Sequence, residues 1–242
     1  MVASRPNHII VAAFAAVLGA TAGRSAGSVT IGINFVGKES LSKSVMAPAE
    51  RAGVVGQANW NNAMGGTGTL SALVDETGAA TGAGVEWRSK PEYLGIDDTA
   101  GDNRLMRGRV ARLLDDPLAV TVSGLDTVWP GRPYDVLVYF DSWNSTADIA
   151  GTYTIGNRVL VGTDPAGVQF DGTFVEDAGS GGNYVRFRDL TGDTFTLTAE
   201  TLAGSGGSVT INALQMVHTP EPATLGFLAL GLAAVLRERR RA

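Results

Sequence analysis

Short runs of β-branched and aromatic residues, cut apart by glycine and asparagine turns, fill the middle of this 242-residue chain and direct it to a β fold. The expected strands are Ser28 to Phe35, Leu118 to Val122, Tyr134 to Phe140, Thr152 to Ile155, Arg158 to Val161, Tyr184 to Phe187, Thr194 to Ala199 and Ser208 to Val217. Thr194 to Ala199 alternates, with Phe195, Leu197 and Ala199 on one face and threonines on the other, the pattern of a half-buried strand. Tyr134 to Phe140 is nearly all apolar, as a central strand covered on both faces requires. Gly156 and Asn157 make a two-residue hairpin signal, and Asp189 to Asp193 links the next pair. In the last strand the apolar phase shifts from Val209 and Ile211 to Leu214 and Met216, which predicts a β-bulge near Asn212.

One segment has helical spacing instead. Leu105, Met106, Val110, Leu113 and Leu114 share a face after Asp102, with four arginines on the other faces. This predicts one short helix, capped by Asp102 and weakened by Gly108. Its arginine stripe is a solvated face or, less commonly for such stripes, a grip for an acidic sugar. With no clear internal repeat, the expectation is a mainly β protein: an antiparallel β-sandwich, jelly-roll-like, with that one helix.

Both ends read as processing segments. Arg5 precedes the apolar run Ile9 to Leu18, and Ala20 and Ala22 place small residues where a signal peptidase looks, so residues 1–22 read as a signal peptide with a signal helix, cleaved after Ala22. At the other end Pro220, Glu221 and Pro222 precede the apolar run Ala223 to Leu236, which an arginine cluster closes. As a hydrophobic helix that run reaches about 21 Å at 1.5 Å per residue, short of the roughly 30 Å hydrocarbon core, which weighs against a permanent anchor. Its lack of a polar face weighs against a buried core helix.

In that order, a Pro-Glu-Pro triplet, a short apolar helix and a basic end, the tail resembles a PEP-CTERM sorting signal, the tag read by exosortases in Gram-negative bacteria that make exopolysaccharide. The sequence then has three parts: a signal peptide at 1–22, a single β-sandwich domain at 23–217 and a sorting signal at 218–242. The resemblance implies a signal peptidase and an exosortase-type enzyme as partners, and membrane contact through the C-terminal helix at least before processing. The expected location is the cell envelope, outer surface or extracellular matrix of a Gram-negative bacterium. The stretch Ala52 to Asn62 is similar to one in exported β-rich proteins of unknown function that carry the same tail, and brings no activity with it.

Composition excludes much of enzyme chemistry. The chain's net charge is −5, and its body is more acidic still once the arginine-rich tail is set aside, so nucleic acid and anionic lipid are not expected partners of the body. There is no cysteine, and the two histidines, His8 and His218, lie in the leader and before the tail. Histidine- or cysteine-dependent nucleophilic catalysis is therefore excluded and zinc sites nearly so, and no phosphate-binding glycine loop occurs. Carboxylates alone survive, but nothing in the sequence pairs Glu86, Glu92, Asp141 or Asp171 across a cleft.

Trp60, between Asn59 and Asn61, and Trp143, in the loop after the central strand, are candidate carbohydrate contacts; the competing reading is a tryptophan sealing the core edge. Trp87 and Trp129 read as such plugs. Asp97, Asp98 and Asp102 are weak calcium candidates, as are Asp115 and Asp116, against the commoner turn-capping role. No cofactor is expected beyond such calcium. The functional expectation is a non-enzymatic, structural or adhesive surface protein that binds exopolysaccharide, with a secreted carboxylate-dependent polysaccharide hydrolase or lyase as the alternative.

Overall fold

The computed structural model describes residues 29–38, 42–93, 96, 98–112, 118–142 and 146–218. The signal peptide, the C-terminal hydrophobic segment, Asp97, Asp115, Asp116 and Trp143 lie outside the described residues. Among the described residues no helix is long and apolar enough to cross a membrane.

In chain order the elements are β1 (Thr30–Gly37), β2 (Asn61–Met64), β3 (Thr67–Leu70), β4 (Gly84–Arg88), β5 (Lys90–Tyr93), α1 (Asp102–Leu105), β6 (Gly108–Ala111) and β7 (Leu118–Ser123). They continue with β8 (Tyr134–Tyr139), β9 (Ile149–Ile155), β10 (Arg158–Asp164), β11 (Tyr184–Leu190), β12 (Phe195–Thr201), β13 (Thr210–Ile211) and β14 (Ala213–His218). Two sheets form a β-sandwich: β11-β8-β14-β1-β2 faces β10-β9-β12-β7-β4-β3. A small third sheet, β13-β6-β5, lies beside them. All pairings are antiparallel except β1 with β2.

The alternation in β12 does what its sequence requires: Phe195, Leu197 and Ala199 are buried and Thr196 is exposed. β8 is buried at every position. Its Val136 and Val138 enter the main core with Ile31, Ile33, Val120 and Leu197. Leu137 and Tyr139 enter a second cluster on the outer face, where Met46, Trp60, Leu105 and Phe170 cover the sheet. That cover is why so apolar a strand is satisfied on both sides.

The helix is shorter than its spacing predicts. α1 holds four residues, and the segment then becomes strand at Gly108, with Arg109 and Val110 both buried. At Gly108 a Cβ would lie 2.3 Å from the Phe35 carbonyl oxygen, so the close approach to β1 needs glycine, and a helix cannot continue through it. Asp102 does not cap α1. The cap is Gly101, and Asp102 Oδ1 instead accepts the Gly53 N–H at 2.8 Å. Three of the four arginines are tied to the fold instead of forming a solvated face or a sugar grip: Arg104 binds Glu50, Arg107 donates to the Ile96 carbonyl, and Arg109 binds Glu92.

Candidate functional site

Where β8 ends, the chain stays buried for three more residues, each held by a different part of the fold. The Phe140 N–H donates to the Asn183 carbonyl, the Asp141 N–H to Asn212 Oδ1 at 2.7 Å, and the Ser142 N–H to Asp164 Oδ2 at 2.9 Å. Asn212 occupies the break between β13 and β14, where the phase shift predicts a bulge. Asp164 is the last residue of β10, in the opposite sheet. The two sheets are thus tied at one end of the sandwich, and Asp141 and Asp164 come together there.

The connection from β10 to β11 folds over this end. Asp177 holds it by accepting the Thr163, Gly179 and Gly181 N–H groups, and Asp141 Oδ2 accepts the Phe170 N–H at 2.8 Å. Between connection and sheets lies a cleft of about 260 Å³, lined at depth by Asp141, Asp164 and Phe170 and at the mouth by Val168, Val175 and Asn183. Val168 is 52% exposed and Val175 48%, so the mouth is apolar and wet while both carboxylates are buried. Asp141 Oδ1, fully buried, has no hydrogen-bond partner. On the far side of Ser142 a second hollow of about 230 Å³ is lined by Glu92, Arg109, Ser142 and Ile149.

Burial pushes the Asp141 carboxyl up to about 6, against the Phe170 N–H and Arg109, which lower it. Asp164 is raised to about 7, first by burial and then by the charge of Asp141, with a further push from Asp148. Arg109 is their neighbouring cation. Burial lowers its own pKa, and its guanidinium bonds Glu92 at 2.9 Å and the carbonyl, not the carboxylate, of Asp141, with Nε buried and without a partner. For Glu92 burial raises the pKa, but Lys90 and Arg109 together bring it below its ordinary value. The pair is therefore short of positive charge. A larger hollow of about 420 Å³ at the opposite end, lined by Arg158, Asp189 and Thr196, has exposed charges at those positions and no buried acid.

The tryptophan expected as an exposed stacking platform is a core residue. Trp60 is 4% exposed, lies against Gly32 of β1 and the edge of Tyr139, and donates its Nε1–H to the Gln57 carbonyl. Asn61 fastens the Gly32 and Val74 backbones, and Asn59 donates to the Glu76 carbonyl, so none of the three presents a free face to a sugar. Trp87 and Trp129 are buried plugs. Asp98 pairs with Lys43, and among the described residues no three histidine or acidic side chains gather as a metal site. Of the four carboxylates left unpaired by the sequence, Asp141 and Asp171 line the cleft and Glu92 lies just behind it, while Glu86 sits exposed on β4. Asp164 and Arg109 carry no signal in the sequence, because β10 reads as an ordinary edge strand and Arg109 as one of a helical stripe.

Residues 218–241 match the family model of the PEP-CTERM protein-sorting motif. The chain carries a PEP-CTERM tail. Pro220, Glu221 and Pro222 fall within the matched span, and the motif marks the chain as exported and sorted to the bacterial cell surface through exosortase processing. No curated protein sequence matches it. Among solved structures it is similar to an exo-beta-1,3-galactanase from Phanerochaete chrysosporium bound to galactose, at 14% identity and a TM-score of 0.28, over 46% of this chain and 23% of that one. It is also similar to the ANXUR1 extracellular domain from Arabidopsis thaliana, at 12% identity and a TM-score of 0.40, over 80% of this chain and 49% of that one. The chain spans less than half the length of either, and likeness this low carries no argument.

Proposed function

We propose that this exported protein is a structural, adhesive component of the envelope or extracellular matrix of a Gram-negative bacterium, and that it binds exopolysaccharide in the cleft between β8 and β10. The observation that carries the reading is the cleft itself: an apolar, exposed mouth above buried polar groups, at a loop end, with one buried oxygen unsatisfied. Sugars suit such a place because their C–H faces cover valine while their hydroxyls satisfy buried acceptors. At about 260 Å³ the cleft is just below the roughly 300 Å³ of pockets for larger ligands, which suits a single sugar residue of a longer chain.

The presence of two carboxylates in one cleft favours a second reading, a polysaccharide hydrolase or lyase. Such enzymes need the two pushed apart, one kept ionised and the other protonated. Here both are raised, and neither is held low by a cation. Binding without turnover is the better account.

The test is cosedimentation of the full-length chain with the host's exopolysaccharide, in calcium and in chelator, beside a Val168→Arg variant that fills the mouth. Saturable binding, indifferent to chelation, weakened about tenfold by Val168→Arg and releasing no reducing ends is the expected result. Absence of binding, or an unaffected variant, removes the reading; release of reducing ends replaces it with the enzyme.

A further inference from the structure

We propose that Asp141 and Asp164 form a recognition site for an organic cation, and that its occupant is the primary ammonium group of an amino sugar within the bound polysaccharide. The inference rests on the cleft being a carbohydrate site, and it names which sugar the cleft selects.

The first support is the bonding of the pair. Each carboxylate spends one oxygen on a backbone N–H, Asp141 on Phe170 and Asp164 on Ser142. Asp141 Oδ1 is left buried with no donor, although buried oxygens are nearly always satisfied. No donor within the fold bonds it.

The second support is the balance of charge around them. The groups facing the pair are Arg109 from β6, Glu92 from β5, Asp148 ahead of β9, and Asp171 and Asp177 from the connection between β10 and β11. Arg109 is the one cation that acts on the pair, and it is shared with Glu92, which also pairs with Lys90. Two buried acids that share a single cation with Glu92 hold protons or take up a further positive charge, since an unpaired buried carboxylate is strongly disfavoured. Burial, the first cause of both raised pKa values, expresses the same cost as proton affinity.

The third support concerns the chemical class of the cation. A hard metal ion asks for six or more oxygen ligands, and no third acid joins the pair among the described residues. A quaternary ammonium has no N–H and would leave Asp141 Oδ1 as it is. A primary ammonium offers three donors from a compact charge, and the carbon skeleton that carries it meets Val168 and Val175 at the mouth. In a polysaccharide that group is the free amine of a de-N-acetylated hexosamine.

Calorimetric titration of the full-length chain with a glucosamine hexamer, its N-acetylated counterpart and trilysine tests this. The amine hexamer is expected to bind at least about tenfold more tightly than the acetylated one and than trilysine. Asp141→Asn and Asp164→Asn should each remove that preference, and the exposed, remote Glu86→Gln should leave it intact. Asparagine keeps an acceptor for the Phe170 and Ser142 N–H groups, and a melting curve confirms that each variant is folded.

Equal affinity for the two hexamers overturns the proposal while leaving a carbohydrate site standing. Trilysine binding as tightly as the amine hexamer, or a preference that survives both asparagine variants, overturns it too. If neither hexamer nor the native exopolysaccharide binds, the carbohydrate reading falls with it.

Discussion

A single missing Cβ decides how Trp60 sits. Gly32 of β1 lies directly under its ring, and a Cβ there would come within 2.5 Å of the ring and of Gln57 Nε2. The indole therefore lies flat on the outer face of the sheet, sealed against Tyr139, and is unavailable to stack on a ligand. Its polar neighbours, which suggest an exposed loop in the sequence, are spent on backbone: Asn61 alone bonds Gly32 and Val74. Gly32→Ala overpacks this contact and is expected to cost about 2 kcal/mol, lowering the melting temperature by roughly 5 °C, read by differential scanning calorimetry. An unchanged melting point would mean that the ring moves aside freely.

At the scale of elements, the decisive feature is the interruption of the last strand. β13 pairs with β6 and β14 with β1 and β8, and Asn212 between them is completely buried. Its amide donates to the Met106 and Gly108 carbonyls, and its oxygen accepts the Asp141 N–H. One side chain thus ties the end of α1, the start of β6 and the exit of β8, and so positions Asp141. Asn212→Ala orphans three buried backbone groups and is expected to cost about 3 kcal/mol in denaturant unfolding. The same variant should weaken polysaccharide binding, because Asp141 loses its anchor; intact binding would separate Asn212 from the site. The shift of apolar phase made this break legible in sequence. The short strands β2 to β6 were not legible, since Asn-Asn-Ala-Met and Thr-Gly-Thr-Leu carry no alternation of their own. β2 is placed by amides, Asn34 donating to Asn62 Oδ1 at 2.8 Å, and β3 by the Trp87 ring lying over Gly68. A short helix forms at Asp102–Leu105, but helical spacing misled over residues 106–112, where packing of Gly108 on β1 outweighs a weak local preference.

For the molecule as a whole, the buried acids make stability depend on pH. Asp141 at about 6 and Asp164 at about 7 stand above the roughly 3.9 of an unfolded aspartate, so between those limits the folded chain holds more protons than the unfolded one. Their contribution is therefore most favourable below about pH 4 and is lost as pH rises to about 7, by an amount on the order of a few kcal/mol. Asp141→Asn combined with Asp164→Asn should raise the melting temperature over wild type at pH 8 and close that gap at pH 4; a gap of equal size at both would show that the acids are solvated. The address of the protein and its class of fold were readable along the chain, because a sorting tail is a contiguous string and a half-buried strand writes its alternation into neighbouring residues. So was the exclusion of histidine and cysteine chemistry, which needs only the inventory of side chains. The cleft was not readable. Asp164 and Arg109 lie on strands of two sheets and Asp141 just past a strand of the third, and their charges are altered by burial and by one another when those strands meet.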